Sequence, residues 1–311
     1  MKALITGGAG FIGSHIADRL VDEGHSVCVV DDLSTGLRAN VHPGVDFREL
    51  DICDDRAMRR VLGEERPEVL FHLAAQMDVR RSTREPEFDA RVNIIGALNL
   101  LRGAIDAGVR RVVYASTGGA VYGNPRQLPV PETHPTYPIS EYGASKLSFE
   151  HYLSVYGGRG LIEYAALRFP NVYGPRQRPD GEAGVTAIFA GQMLRGEDVT
   201  IFGDGSKTRD YVFVSDVVEA NVRAIGGPTG VVANLGWGRE ISDREIFDVM
   251  AAATGYRRPP IMAPFRPGEV SRVCLDATLA RQTWAWRPTV ALAEGVRRVV
   301  EHITALQVGR V

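Results

Sequence analysis

Short apolar runs alternate with longer amphipathic stretches through the first two-thirds of this chain. Ala3–Thr6, Ser26–Val30, Val45–Glu49, Val69–Leu73, Val112–Ala115 and Ile162–Arg168 are β-branched or apolar and too short for buried helices, which predicts strands. Between them the spacing predicts helices over Phe11–Glu23, Asp55–Glu65, Pro86–Ala107 and Ser140–Tyr156. In the third helix Val92, Ile95, Leu98 and Leu101 recur at helical intervals and predict a single apolar stripe. Strand and helix in alternation imply an α/β protein whose parallel sheet is doubly wound through right-handed crossovers.

After about residue 175 the pattern loosens. Arg176–Gly184 is rich in proline, glycine and charge and reads as a loop. A helix (Thr186–Arg195), a strand (Val199–Phe202), the turn Gly203-Asp204-Gly205 and short mixed elements follow. Tyr211–Val214 and a helix from Asp216 read as a return to the first lobe. The expected organisation is a cofactor domain over residues 1–175, with return segments near 211–235. A smaller mixed α/β lobe for the substrate then occupies most of 176–311. A length of 311 residues is long for one core and agrees with two lobes.

Composition removes several function classes. The net charge of −2, with acids and bases interspersed, excludes an evident nucleic-acid or membrane surface. No apolar run reaches the roughly 18 residues of a membrane span. Cys28, Cys53 and Cys274 form no CxxC and no zinc spacing, so no metal site is expected and the thiols read as reduced. With the glycine loop starting at residue 7, no signal peptide is expected, and the reading is cytoplasmic.

Two motifs carry chemistry. Gly7, Gly10 and Gly13, with Phe11 and Ile12 between them, follow the first strand. A tight strand-to-helix turn without Cβ atoms lets backbone N–H groups approach a pyrophosphate at a helix N-terminus. The second strand ends in Asp31-Asp32, where an acid accepts hydrogen bonds from an adenosine ribose and repels a 2′-phosphate. NAD is therefore expected, with Asp31 as the main ribose ligand. Asp32 either shares that role or caps the next turn. Asp51-Ile52, after the third strand, stand where an adenine ring would be held. Farther on, Tyr142 and Lys146 form an i, i+4 pair on one helical face. A nearby ammonium favours phenolate, and such a tyrosine takes a proton from a hydroxyl while hydride leaves the adjacent carbon. Ser116 and Thr117, just past a strand, offer hydroxyls to the reacting oxygen.

With these residues in hand, the chain resembles an extended short-chain dehydrogenase/reductase, closest to the UDP-glucose 4-epimerases. The resemblance runs nearly end to end. It covers Gly7–Gly13, Asp31, Asp51-Ile52, Phe71–Ala75, Asn93-x-x-Gly96, Ser116–Gly123, Tyr142–Lys146, Arg168–Arg176 and Phe202–Tyr211. It implies Tyr142 as catalytic base, Lys146 as its partner, and Leu73, Ala74, Ala75 and Asn93 beside the cofactor. Phe169 and Pro170 are implied beside the nicotinamide. Asn171 is implied at the sugar-nucleotide phosphates, Thr200, Ile201 and Phe202 against the uracil, and Arg209, Arg266 and Glu269 around diphosphate and ribose. It also implies a homodimer through a four-helix bundle of Pro86–Ala107 and Ser140–Tyr156. Periodicity leaves open whether Leu100, Leu101, Leu147 and Tyr152 are buried there or in the monomer.

Related dehydratases carry an acidic pair just after the serine/threonine, and decarboxylases a glutamate. Here Gly118, Gly119 and Ala120 offer no acid for an elimination. Return of the hydride to the opposite face remains, so the expected activity is NAD-dependent 4-epimerisation of a UDP-hexose, UDP-glucose or UDP-galactose. Small residues at 118–120 are expected to leave room for the keto sugar to turn. The family's usual hydroxyl sits where Gly118 is, so Thr117, Ser116 or a water takes over, with Thr117 favoured. Val273 stands where restricted epimerases carry a large aromatic residue, which extends the expectation to N-acetylated sugars. The competing readings are a uronate 4-epimerase served by Arg176 and Arg178, a decarboxylase, another NAD-dependent dehydrogenase or dehydratase, and a non-catalytic NAD sensor on the same fold.

Overall fold

The computed structural model describes residues 1–178, 184–266 and 270–308. Its strands are β1 (Lys2–Thr6), β2 (Ser26–Asp31), β3 (Asp46–Glu49), β4 (Val69–His72), β5 (Arg111–Thr117), β6 (Glu163–Phe169), β7 (Asn171–Tyr173), β8 (Thr200–Phe202), β9 (Thr208–Arg209), β10 (Tyr211–Phe213), β11 (Val231–Asn234), β12 (Ile241–Ser242) and β13 (Ile261–Ala263). Its α-helices are α1 (Phe11–Asp22), α2 (Asp55–Glu65), α3 (Val79–Arg84), α4 (Pro86–Ala90), α5 (Ala97–Asp106), α6 (Glu141–Gly158), α7 (Val185–Leu194), α8 (Val214–Arg223), α9 (Asp243–Thr254), α10 (Thr278–Trp284) and α11 (Leu292–Val308).

Seven strands form one parallel sheet in the order β11-β6-β5-β4-β1-β2-β3. Leu4 of β1 lies opposite Cys28 of β2 on one side and Leu70 of β4 on the other. The six predicted strands are all present, each within two residues of its expected ends. They read as continuous apolar runs because both faces of the sheet are covered. Ala3, Ile5, Val29 and Phe71 pack with Ile16 and Leu20 of α1 and Val217 of α8. Leu4, Val30, Leu70 and Val112 face the other way, onto Met58 and Leu62 of α2, Leu100 of α5 and Phe149 of α6. Chain order reverses beside β1, where α1 leads to β2 on one side and β4 lies on the other. That crevice, at the carboxyl ends of the strands, is where this architecture takes dinucleotides.

One helix keeps its expected span but not its regularity. Pro86–Ala107 is interrupted by a π-helical segment, Arg91–Gly96, between α4 and α5. A π turn holds more residues than an α turn, so the phase of the stripe slips. Ile95 consequently points out, 53% exposed, while Asn93, Gly96, Ala97, Leu100 and Leu101 are buried. Leu100 and Leu101 thus belong to the monomer core, Leu147 is half-buried and Tyr152 is exposed.

The remainder is a smaller mixed lobe. It contains three two-stranded sheets, β7 with β10, β8 with β13 and β9 with β12, packed with α7, α9 and α11. Two elements return to the large sheet: α8 packs on α1, and β11 pairs with β6 at its edge. No described helix is long and apolar enough to cross a membrane.

Candidate active site

The glycine loop is built by close approach. Gly7 adopts φ +73°, and a Cβ there would lie 2.6 Å from the Ala74 nitrogen and 2.9 Å from the Leu73 carbonyl carbon. A Cβ on Gly13 would lie 2.2 Å from the Gly7 oxygen. Only residues without side chains let β1, the turn and the 73–75 segment meet this tightly. Gly10 is the N-cap of α1 and offers no side-chain cap, so the amides at Phe11 and Ile12 keep the open, anion-seeking end of the helix. Leu73 and Ala74 donate their N–H groups to the Thr6 carbonyl at 3.1 and 3.0 Å, which fixes the far lip, with Ala75 half-buried next to them.

Asp31 closes the cradle from below. Its Oδ2 accepts from Ala9 N and its Oδ1 from Leu33 N, both at 2.9 Å. Burial pushes its carboxyl up, and these backbone bonds pull it back. Each oxygen keeps a second lone pair for a ribose hydroxyl. Asp32 caps the next turn: its Oδ1 accepts from Ser34 N and Oγ at 2.9 and 2.6 Å. Asp51 does the same for Cys53 N at 2.8 Å and is exposed at the lip. The Ile52 side chain turns inward and packs beneath Gly96. A tight cradle, an uncapped helix end and an acid at the tip of β2 together fit NAD.

Asn93 is engaged with the protein itself. Its amide reaches Gln76 O, Asp89 Oδ1 and Ser145 Oγ at 2.9, 3.0 and 3.1 Å, and its Oδ1 accepts from Gln76 N at 2.9 Å. Ser145 in turn donates to the Tyr142 carbonyl at 3.0 Å. The side chain therefore ties the 73–76 lip to the first turn of α6. Gln76, Asp89 and Ser145 were not legible as partners, because their meeting depends on the π segment.

α6 starts on a Ser140 cap, whose Oγ accepts from Gly143 N at 3.1 Å, and carries Tyr142 and Lys146 on one face. The Thr117 hydroxyl lies beside the Tyr142 phenol and favours its ionised form. Lys146 is 4% exposed, its Nζ 4.3 Å from the centroid of the Tyr114 ring. Burial pushes Tyr142 up to about 12, with Asp89 adding to the rise and Thr117 opposing it. Burial pushes Lys146 down to about 7, against the pull of Glu150 and Asp89. The sequence predicts an ammonium that lowers the phenol. Desolvation instead governs both groups and favours the neutral form of each.

Ser116 is a correction. It faces inward, 3% exposed, and its hydroxyl donates to Glu150 Oε1. Thr117 is the hydroxyl beside Tyr142. On the side where a Cβ would stand, Gly118 is packed against Leu275: a Cβ there would lie 2.3 Å from Leu275 Cδ1. Gly118 N donates to the Phe169 carbonyl at 2.8 Å, setting Phe169 and the buried Pro170 beside Thr117. Val273 is buried with Val121, Tyr122, Val130, Val270 and Leu275.

Among the nucleotide-binding candidates, Phe202 and Arg266 meet, the guanidinium 3.5 Å over the ring centroid. Thr200 and Phe202 are half-buried, but Ile201 points into the core and offers only its backbone. Asn171 N donates to the Asp210 carbonyl at 2.9 Å, leaving a half-buried side chain. Arg209 Nη1 donates to the Thr208 carbonyl at 2.7 Å. Glu269 lies outside the described residues. Of the two cations considered for a uronate carboxylate, Arg176 is paired with Asp18 at 2.7 Å and Arg178 reaches toward the Thr35 carbonyl at 3.5 Å.

Comparison with known proteins agrees with this geometry. The family model for the NAD dependent epimerase/dehydratase family matches residues 3–236. The chain is 48% identical over 308 residues to a UDP-glucose 4-epimerase of Mycolicibacterium smegmatis, covering 97% of this chain and 98% of that one. Its structure matches that of a UDP-glucose 4-epimerase of Thermotoga maritima with UDP-glucose, at a TM-score of 0.97 and 46% identity, covering 99% and 100% of the two chains. It also matches a UDP-glucose 4-epimerase of Thermus thermophilus in complex with NAD, at a TM-score of 0.93 and 44% identity over 98% and 99%. The chain therefore belongs to the NAD dependent epimerase/dehydratase family.

Proposed function

We propose that this protein is an NAD-dependent UDP-hexose 4-epimerase, interconverting UDP-glucose and UDP-galactose and accepting N-acetylated forms. The observation that carries the reading is that the Thr117 hydroxyl meets the Tyr142 phenol at the end of β5, whose next residues, Gly118 to Ala120, bear no acid. NAD, when bound, supplies a hydride acceptor that can also give the hydride back. Tyr142 takes the proton of the C4 hydroxyl as hydride leaves C4, and returns it when hydride comes back to the opposite face. Burial makes phenolate the costly form of Tyr142, so positive charge on Lys146 is what offsets that cost. Thr117 holds the oxygen in line. The absence of a carboxylate after Thr117 leaves no group there to expel a C6 hydroxyl or assist decarboxylation.

In this reading Gly7, Gly10, Gly13, Phe11 and Ile12 hold the pyrophosphate, Asp31 the ribose, and Asp51 and Ile52 the adenine edge. Leu73–Ala75, Phe169 and Pro170 flank the nicotinamide, and Asn93 positions that lip. Asn171, Thr200, Phe202, Arg209 and Arg266 take the UDP moiety. The arginine forks suit its diphosphate. Residues 1–175 with 211–235 hold NAD, and most of 176–311 holds the sugar nucleotide. The pairing of α6 with the Pro86–Asp106 helices across a homodimer is supported by their exposed Ile95, Tyr152 and Val155. Three free cysteines, two of them buried, agree with a reducing, cytoplasmic setting.

The test is to incubate the purified protein with UDP-galactose, and separately with UDP-N-acetylgalactosamine, and separate the products chromatographically. The expected result is conversion to the 4-epimers with no accumulation of NADH. Net NADH release, or a dehydrated product without epimerisation, would sink the assignment, and turnover of UDP-galactose alone would remove the N-acetylated substrates.

A further inference from the structure

Glu150 stands one helical turn beyond Lys146 and two beyond Tyr142, so all three occupy one face of α6. It is 4% exposed and is held by side chains from two strands. Ser116 Oγ of β5 donates to its Oε1. Arg168 of β6 donates Nε to Oε1 at 3.0 Å and Nη2 to Oε2 at 2.6 Å. The network continues outward: Arg168 Nη1 donates to Tyr122 Oη at 2.7 Å, and Tyr122 Oη donates to Asn234 Oδ1 at 2.8 Å. Asn234 N then donates to Glu132 at 2.8 Å, and Asn234 Nδ2 to the Val130 carbonyl at 2.9 Å. The carboxylate therefore binds together the helix that carries Tyr142 and Lys146, the strand that ends in Thr117, and the loop from Val121 to Glu132.

We infer that Glu150 is a positioning residue for the reaction: it fixes the spacing of Thr117 against Tyr142 through Ser116 and Arg168, and it supplies the negative charge behind Lys146. The geometry carries this, since the acid is anchored on both sides and cannot turn away. A second role for the charge follows from what surrounds Lys146. On α6 it faces Tyr142 and Glu150, from α4 Asp89, from β4 the neutral His72, and from β5 the Tyr114 ring. His72 is itself held neutral, by burial first and by Lys146 second. Only Glu150 and Asp89 favour the ammonium, and Glu150 is the larger of the two. Loss of that charge makes Lys146 give up its proton at lower pH, and with it the support for phenolate at Tyr142.

The chain has only three lysines, Lys2, Lys146 and Lys207, so side-chain NMR of lysine-labelled, NAD-loaded protein resolves Lys146 directly. Two variants are compared with the parent: Glu150→Gln, and Glu150→Gln with Arg168→Met. The second removes both buried charges, so its fold does not carry an uncompensated guanidinium. The expected result is a lowered Lys146 midpoint, by about 1 pH unit in Glu150→Gln and by less in the double variant, which loses a positive charge along with the negative one. The alkaline limb of the kcat profile should move the same way, costing about tenfold in kcat above it, with KM for the UDP-sugar little changed. A Lys146 midpoint and alkaline limb at the parent's values in a folded variant, with activity tracking thermal stability alone, would overturn the inference. The kinetic arm rests on the epimerase reading, whereas the lysine titration does not. A parent protein inactive on UDP-sugars would defeat that reading and leave the titration to decide the role of Glu150.

Discussion

Ser116 and Thr117 are neighbours of equal chemistry, yet the structure gives them different surroundings. Side chains alternate along a strand, so one hydroxyl at the end of β5 must face α6 and its buried acid while the next faces the cleft. Thr117→Val should lower kcat by about ten- to hundredfold, the worth of a hydrogen bond to a charged oxygen, while leaving thermal stability close to the parent's. Ser116→Ala should do the reverse, lowering stability by about 1–3 kcal/mol because one oxygen of Glu150 loses its donor. Kinetics and urea melts on the two variants decide this, and a Ser116→Ala protein as inactive as Tyr142→Phe would return Ser116 to the reacting oxygen. The residue types were legible in the sequence, because tyrosine, lysine and hydroxyl at those spacings specify the chemistry. Their protonation was not. Tyr142 and Lys146 are each governed first by burial, and Asp89, far off in the chain, acts on both through its charge.

The elements of the amino-terminal half followed from apolar periodicity, and their ends fell close to the expected residues. The exception is Arg91–Gly96, where a π turn rotates Ile95 outward and brings Asn93 into the network under the active-site lip. No local composition distinguishes that turn from an α turn. The same limit applies to Gly118. Read along the chain it is a missing side chain next to Thr117, but the distant Leu275 fills the place of that side chain and is itself pinned by a Val130 bridge and by Asp210 Oδ2 at 3.1 Å. Gly118→Ala should therefore cost about 1–3 kcal/mol through overpacking. Combining it with Leu275→Ala should recover most of that loss. Denaturant melts of the single and double variants measure the coupling, and additive losses would show that Leu275 does not fill the site.

For the whole molecule, the alternation of strand and helix is enough to specify a doubly wound parallel sheet, because right-handed crossovers leave few other arrangements. The association state is a separate matter of surface. Ile95, Tyr152 and Val155 remain 53%, 39% and 47% exposed in the single chain. Sedimentation velocity should find a dimer, and Ile95→Glu with Val155→Glu should shift it to monomer without loss of helicity by circular dichroism. A parent protein that sediments as a monomer would remove the four-helix bundle from the reading. The sequence by itself determined the class of fold, the glycine cradle, the acid at the tip of β2 and the Tyr142–Lys146 pair, since each depends on spacing within one or two adjoining elements. Only the tertiary structure decided which hydroxyl meets Tyr142, that Asp32 caps a turn, that Leu275 fills the gap beside Gly118, and that Glu150 and Arg168 lock the site from beneath. Most of those depend on contacts between residues tens to more than a hundred positions apart, which become neighbours only when the sheet and its covering layers are assembled.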